Sequence, residues 1–383
     1  MQEASPSPWW QKDASVFAAL ILVAALAFTA TYFFSKAYGR KQDSLARRSL
    51  QAADQHLRAG DAAQAVSDYR TALLYSHDNP EYRLRLAHAL AANGETSQAI
   101  AYFLNLLDEQ PGNGLYNLEL ARLYSRQGNA RKAALYYNGA IYGAWENDPA
   151  AARREARTEF IQFLLSQNSR TQAQAEAMIL AAGVQPTDVP GRLLAARILL
   201  DTGEYDRAMD EYVALIKNDP VTAAMGAGRA AFAAGRFESA AKYLALAVNH
   251  DTANQEAQSL LQRAKSVIDA DPNRRRLSSA ERARRVAEAY RVAGNRIISC
   301  AESKKLPLNI LSPNNDLQKL YNEWGVAERD SDPRKLAGDP DLRDTIMDLA
   351  GRIEQATALQ CGAPTGPDWA LLMLARYGEG VEH

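Results

Sequence analysis

Between Ala14 and Ser35 the chain reads ASVFAALILVAALAFTATYFFS and carries no formal charge. As a helix this stretch spans about 33 Å, enough to cross a hydrocarbon core. Trp9 and Trp10 precede it, and Tyr32, Phe33, Phe34 and Tyr38 close it. Aromatics at both ends suit two membrane interfaces. The pattern predicts an N-terminal tail over 1–13, a transmembrane helix over 14–38 and a linker over 39–45. A cleaved signal peptide is the competing reading, with ALA at 25–27 as its cleavage site. The length of the stretch, the single basic residue before it (Lys12) and the aromatics after the cut favour the anchor.

Beyond this span the apolar pattern changes to a long-period recurrence. Gly60, Gly94 and Gly128 stand 34 residues apart, and Gly203 and Gly235 stand 32 apart. Five residues after each glycine comes a small residue: Ala65, Ala99, Ala133, Ala208, Ala240. Nine after comes a large one: Tyr69, Phe103, Tyr137, Tyr212, Leu244. Seven before comes another small one: Ala53, Ala87, Ala121, Ala196, Gly228. A period of this length predicts repeated pairs of antiparallel helices. Small residues let two helices cross closely, the large residue fills the gap to the next pair, and glycine makes the turn. One pair cannot bury its apolar face, so the pairs must stack.

The stretches LRLAHALAANGETSQAIAYFLNLLDEQP (84–111) and LLAARILLDTGEYDRAMDEYVALIKNDP (193–220) carry this frame most fully. On these residues the chain resembles the tetratricopeptide repeat family. It departs from that family in lacking the early tryptophan in every unit. Gly128 and Gly203 are 75 residues apart, room for one divergent pair whose turn and second helix fall in SQNSRTQAQAEAMIL. The reading is an all-α chain: one transmembrane helix, an α-solenoid of about six helix pairs with a polar capping helix over 46–272, and a C-terminal helical domain over 273–383. Helices are expected there at 279–300, 314–324, 340–360 and 367–377, joined by KKLPLNILSPNND and ERDSDPRKLAGDPD.

The resemblance implies that the first helix of each pair lines a peptide-binding groove. The fifth positions are Leu84, Leu118, Leu193 and Met225; the ninth are His88, Arg122, Arg197 and Arg229. Residues four apart share a helix face. An apolar row beside a basic row suits a peptide with apolar anchors and carboxylates, because arginine grips a carboxylate bidentately. The competing reading pairs these arginines with carboxylates of neighbouring repeats. Members of the family that clamp a C-terminal carboxylate use Lys and Asn at these positions, and this chain lacks that pair.

Chemistry of other kinds finds little support. Net charge is −1, so no global field argues for nucleic acid. Gly226, Gly228 and Ala231 form G-x-G-x-x-A, but no strand precedes it, so a dinucleotide site is not expected. The histidines His56, His77, His88, His250 and His383 do not pair at ligand spacing, and no metal or cofactor is expected. Asp330, Asp332, Asp339 and Asp341 invite calcium, yet Arg334 interrupts them and no glutamate closes the loop. The cluster Arg274, Arg275, Arg276, Arg282, Arg284, Arg285 reads as a solvated helix face.

Cys300 and Cys361 are the two cysteines. A disulfide between them and a pair of reduced thiols both stay open, because the first requires an oxidising compartment. Lys36, Arg40, Lys41, Arg47 and Arg48 follow the span, which by the positive-inside rule places the soluble part in the cytoplasm. A short leading tail with one early span argues for export, and the charge count favours the cytoplasm. The functional expectation is a non-enzymatic scaffold, in a bacterial inner membrane, that binds proteins or peptides through the groove. Two alternatives remain: an enzyme or regulatory site in 273–383 with the repeats recruiting substrate, and homo-oligomerisation through the repeats.

Overall fold

The computed structural model describes the backbone of residues 9–306 and 316–378, and side chains from Val16 onward. Residues 1–8, the middle of the first C-terminal connection (307–315) and His383 lie outside the described residues, as do the side chains of Trp9 and Trp10. The described residues are helical, with no strand among them. They divide into two compact units, one up to Phe163 and one from Leu164. Helices after 272 therefore share a unit with the later repeats.

The first unit begins with α1 (Trp9–Arg58), a single helix of 50 residues. Segment 39–45, expected as a linker, is continuous helix within α1. No proline interrupts it and Gly39 is its only glycine, so nothing in the sequence ends it before Gly60. Its apolar part is exposed from Val16 onward, and its most apolar window has a mean hydropathy of 2.3. It is the one helix among the described residues long and apolar enough to cross a membrane. Its last turns are the first helix of the first repeat, burying Ala46 and Ala53.

Then follow α2 (Ala62–Tyr75), α3 (Pro80–Ala92), α4 (Thr96–Glu109), α5 (Gly114–Arg126), α6 (Ala130–Tyr142) and α7 (Pro149–Ser166). Asp61, Asn79, Asn113 and Asn129 cap their helices by accepting from backbone N–H groups two or three residues on. The recurring small residues Ala65, Ala87, Ala99, Ala121 and Ala133 are fully buried, as is Phe103, while Tyr69 and Tyr137 are nearly so. Tyr137 stacks on Phe160, ring centroids 5.4 Å apart, and so closes the gap to α7. Burial of each such ring contributes about 2–3 kcal/mol.

The second unit holds α8 (Arg170–Ala182), α9 (Val189–Thr202), α10 (Tyr205–Leu215), α11 (Pro220–Ala233), α12 (Phe237–His250) and α13 (Gln255–Ala270). The five turn glycines all have φ between +72° and +96°. At the divergent pair Asn168 takes their place with φ +57°, asparagine being the residue that enters this region most easily after glycine. Gly228 answers a different need: a Cβ there would meet the Leu244 side chain at 2.6 Å, so α11 and α12 cross too closely for alanine.

After α13 come α14 (Ser279–Ser303), α15 (Asp316–Val326), α16 (Pro333–Gly338), α17 (Pro340–Cys361) and α18 (Gly366–Tyr377). The segment ERDSDPRKLAGDPD, expected as a connection, holds the end of a 3-10 turn at Ala327–Arg329 and all of α16. Asp332 caps α16 and Pro333 opens it, a start signal that the density of turn residues masked. Trp324 stacks on Tyr290 at 5.2 Å, and the two exchange hydrogen bonds: Tyr290 Oη to the Trp324 carbonyl (2.7 Å) and Trp324 Nε1 to the Tyr290 carbonyl (3.1 Å). Cys300 and Cys361 are joined as a disulfide, Cα atoms 5.8 Å apart, tying the end of α14 to the end of α17.

Candidate functional site

The predicted groove residues sit on the first helices: Leu84 and His88 on α3, Leu118 and Arg122 on α5, Leu193 and Arg197 on α9, Met225 and Arg229 on α11. Four fall in each unit, and their surroundings differ.

In the first unit the ninth positions are engaged. Arg122 Nε and Nη2 donate to Glu159 of α7 at 2.9 and 2.5 Å, and Nη1 donates to Glu119 at 2.7 Å. Glu155 lies 3.6 Å from the same guanidinium. The hydrogen bond to Glu159 is the largest influence raising the Arg122 pKa, against desolvation, so the group stays charged. His88 Nδ1 stands 4.0 Å from Glu119, and its ring lies edge-on to Phe103 at 5.3 Å. Burial pushes the His88 imidazole below its ordinary value, although Glu119 pulls the other way. One repeat earlier, Arg85 Nη1 donates to Asp54 at 2.6 Å, and Tyr69 Oη donates to the same carboxylate at 2.5 Å. This face carries ion pairs between first helices, Arg85 of α3 with Asp54 of α1 and Arg122 of α5 with Glu159 of α7, with His88 beside Glu119 between them. Leu118 is 3 % exposed and belongs to the core, so the expectation that it faces a ligand is corrected. Leu84 is half-buried.

In the second unit the pattern is looser. Arg229 donates through Nε to Glu256 of α13 at 2.8 Å, and its Nη2 donates to the other oxygen. Arg197 is exposed, and no ion pair holds it among the described residues. Leu193 lies one turn before it and Leu200 one turn after, both half-buried against Ala196 and Tyr212. Met225 is half-buried beside Ala224 and Ala247. The pairing between repeats considered in the sequence thus holds for Arg122 and Arg229 and not for Arg197.

Sequence reasoning missed Arg263. It stands 34 residues after Arg229, which stands 32 after Arg197, so the ninth-position frame runs on into α13. Reading α13 only as a polar cap hid it. Its guanidinium carbon lies 4.1 Å from the centroid of Trp369 in α18 and 5.6 Å from that of Phe232 in α11.

The other candidates resolve into structure. Asp332 and Asp339 accept from backbone N–H groups as helix caps, and Asp330 pairs with Lys335 at 3.1 Å. Among the described residues no group of three or more His, Cys, Asp and Glu is placed to hold a metal. In the arginine cluster, Arg274 pairs with Glu238, Arg284 with Glu281, and Arg285 donates to the carbonyls of Ile268 and Asp271 at the end of α13. The enzyme alternative requires a cavity whose polar groups have shifted pKa values. A cavity of about 790 Å³ between α17 and α18 is lined by Asp344, Asp348 and Arg376 among others. The strongly shifted acid is Glu354 of α17, fully buried and raised to about 8 by burial and then by Asp368. Glu354 is not among the residues that line that cavity.

Two stretches, 56–116 in the first unit and 193–264 in the second, match the tetratricopeptide repeat, so both units carry repeats of that kind. No curated protein matches the chain. Among solved structures it is similar to a tetratricopeptide repeat protein from Parabacteroides merdae, at 16% identity and a TM-score of 0.38, covering 58% of this chain and 99% of that one. It is similar in the same measures to PilF of Pseudomonas aeruginosa: 16% identity, TM-score 0.38, 58% and 99% covered. The TPR2AB domain of yeast Sti1, in its complex with pHSP90, follows at 18% identity and a TM-score of 0.26, with 58% and 99% covered.

Proposed function

We propose that the chain is a membrane-anchored, non-enzymatic scaffold that binds a partner protein or peptide on the first-helix face of its second unit. The observation that carries this reading is Arg197, exposed and free of ion pairs among the described residues, between the half-buried Leu193 and Leu200. A cation left unpaired beside partly covered apolar side chains is a surface ready for a ligand. The corresponding face of the first unit is closed by its own carboxylates and serves as the support.

The anchor is α1 over 14–38, in a bacterial inner membrane. The joined cysteines support a soluble part on the oxidising side, against the charge count of the flank. An impermeant maleimide on intact cells checks this: labelling of Cys300 and Cys361 only after reduction supports export, and labelling only in opened cells returns the soluble part to the cytoplasm. The binding face is tested with a photocrosslinking residue at Asp201, exposed one turn after Arg197 on α9, and, as control, at Ile179, which is exposed on α8. Discrete adducts from position 201 and none from 179 support the reading. Equal adducts at both, or none at 201, sink it.

A further inference from the structure

The helix α1 does not stop at the edge of its apolar stretch but runs on without a break into the first repeat. Ala46 is buried with Ala72 of α2 and Tyr82 of α3, so packing against the repeats begins about 12 Å of helix beyond Tyr38. Across this junction Lys36, Arg40, Lys41, Arg47 and Arg48 are all exposed. Asp43 is the only acid from Lys36 to Ala53. Among the described residues no ion pair holds any of the five cations. Lys36 lies over the Tyr32 ring, 5.6 Å from its centroid.

The turn of the helix sorts these residues. Lys36, Arg40 and Arg47 fall in one row along the axis, and Lys41 and Arg48 in a second row about 100° round from it. The buried Ala46 and Ala53 take the remaining side. The cations therefore occupy the part of α1 turned away from the repeats. The polar headgroup layer of a leaflet is about 5–8 Å thick. Arg40 and Lys41 start about 3–5 Å beyond Tyr38, within that layer, and Arg47 and Arg48 about 14–15 Å beyond. Side chains on a helix lean toward its N-terminus, which here is the membrane, so the two outer arginines lean back toward the headgroups. We infer that this face of α1 binds the headgroups of anionic phospholipids and so holds the first repeat at the membrane surface. Guanidinium groups grip phosphate oxygens bidentately, and an anionic leaflet adds an attraction that a zwitterionic one lacks. The inference rests on the anchor reading and specifies the lipid that the anchor meets.

The test offers full-length protein in detergent micelles an equal mixture of phosphatidylglycerol and phosphatidylcholine with the same acyl chains, and counts retained lipids by native mass spectrometry. Phosphatidylglycerol should be preferred by about tenfold, and less so as salt rises from about 0.1 to about 0.5 M. The preference should vanish when Arg40, Lys41, Arg47 and Arg48 are all replaced by glutamine, with helix content by circular dichroism unchanged. It should persist when Arg274, Arg275 and Arg276, a second basic cluster, are replaced instead. Equal retention of both lipids by the parent, a preference that survives the first set of replacements, or one lost with the second set overturns the inference. Carbonate extraction of membranes separates the two readings. A chain released by carbonate removes the anchor and this inference with it. A chain that stays in the membrane without the lipid preference removes this inference alone.

Discussion

The two units use the same repeat frame and differ in how fully its ninth position is paired, since the second holds Arg229 with Glu256 but leaves Arg197 exposed. In the first, Arg122 sits among Glu119, Glu155 and Glu159, and His88 leans on Glu119. In the second, Arg197 is bare and Arg263 is held by an aromatic ring. The difference comes from what the neighbouring first helix offers. Helix α7 presents glutamates to α5, whereas among the described residues no carboxylate stands within ion-pair distance of Arg197. An identical residue at an identical repeat position is therefore held in an ion-pair network in one place and left exposed in the other.

The largest expected effect lies in the second unit, at Glu354. Its carboxyl keeps its proton to about pH 8 when folded, against an ordinary value of 4.5. Between those values the unfolded chain has released the proton and the folded chain has not, so the group's cost to stability grows as pH rises toward 8 and is constant above. Glu354→Gln should be more stable than the parent at pH 9, by an upper limit of about 5 kcal/mol, and level with it near pH 4. Denaturant midpoints at both pH values decide this; a difference that does not change with pH would contradict it.

Next come the turns. A Cβ on Gly235 would press into the Tyr377 ring, while one on Gly60 meets nothing within 4 Å, although both glycines have positive φ. Gly60→Ala should cost about 1–2 kcal/mol from backbone strain alone, and Gly235→Ala about 3 kcal/mol because overpacking adds to it. Equal losses in thermal or denaturant melts would mean that α18 yields freely at that end.

The ion pairs of the first unit give a smaller effect. Arg122→Ala leaves Glu119 and Glu159 facing each other without their cation, and the site is partly solvated, so the expected loss is about 2 kcal/mol. Hydrogen exchange should locate the loss in α5 and α7. The smallest effect is Arg197→Ala, within about 0.5 kcal/mol of the parent, since nothing in the fold depends on it. A loss as large as that of Arg122→Ala would show that Arg197 is structural and erase the contrast between the units.

Much of this molecule was readable in the sequence, for local reasons. Turn glycines, capping Asn and Asp residues and buried alanines recur at fixed spacing, because each repeat solves the same packing problem. The helices after 272 were also marked, α17 by Pro340 just inside its start and Gly362 just past its end. The short α16 was hidden among turn residues, and the linker expected at 39–45 is helix because no residue there stops α1.

What the sequence by itself determined is the helix-pair frame, its period and the apolar span, since these follow from chemistry within a few turns of chain. Which arginines are free was decided only by the tertiary structure. Arg122 meets Glu159 across 37 residues, and Arg263 meets Trp369 across 106, and no periodicity within one helix carries such pairings. Charge partners are chosen by the packing of separate helices, so the function of a repeat position can be read only after the repeats have stacked.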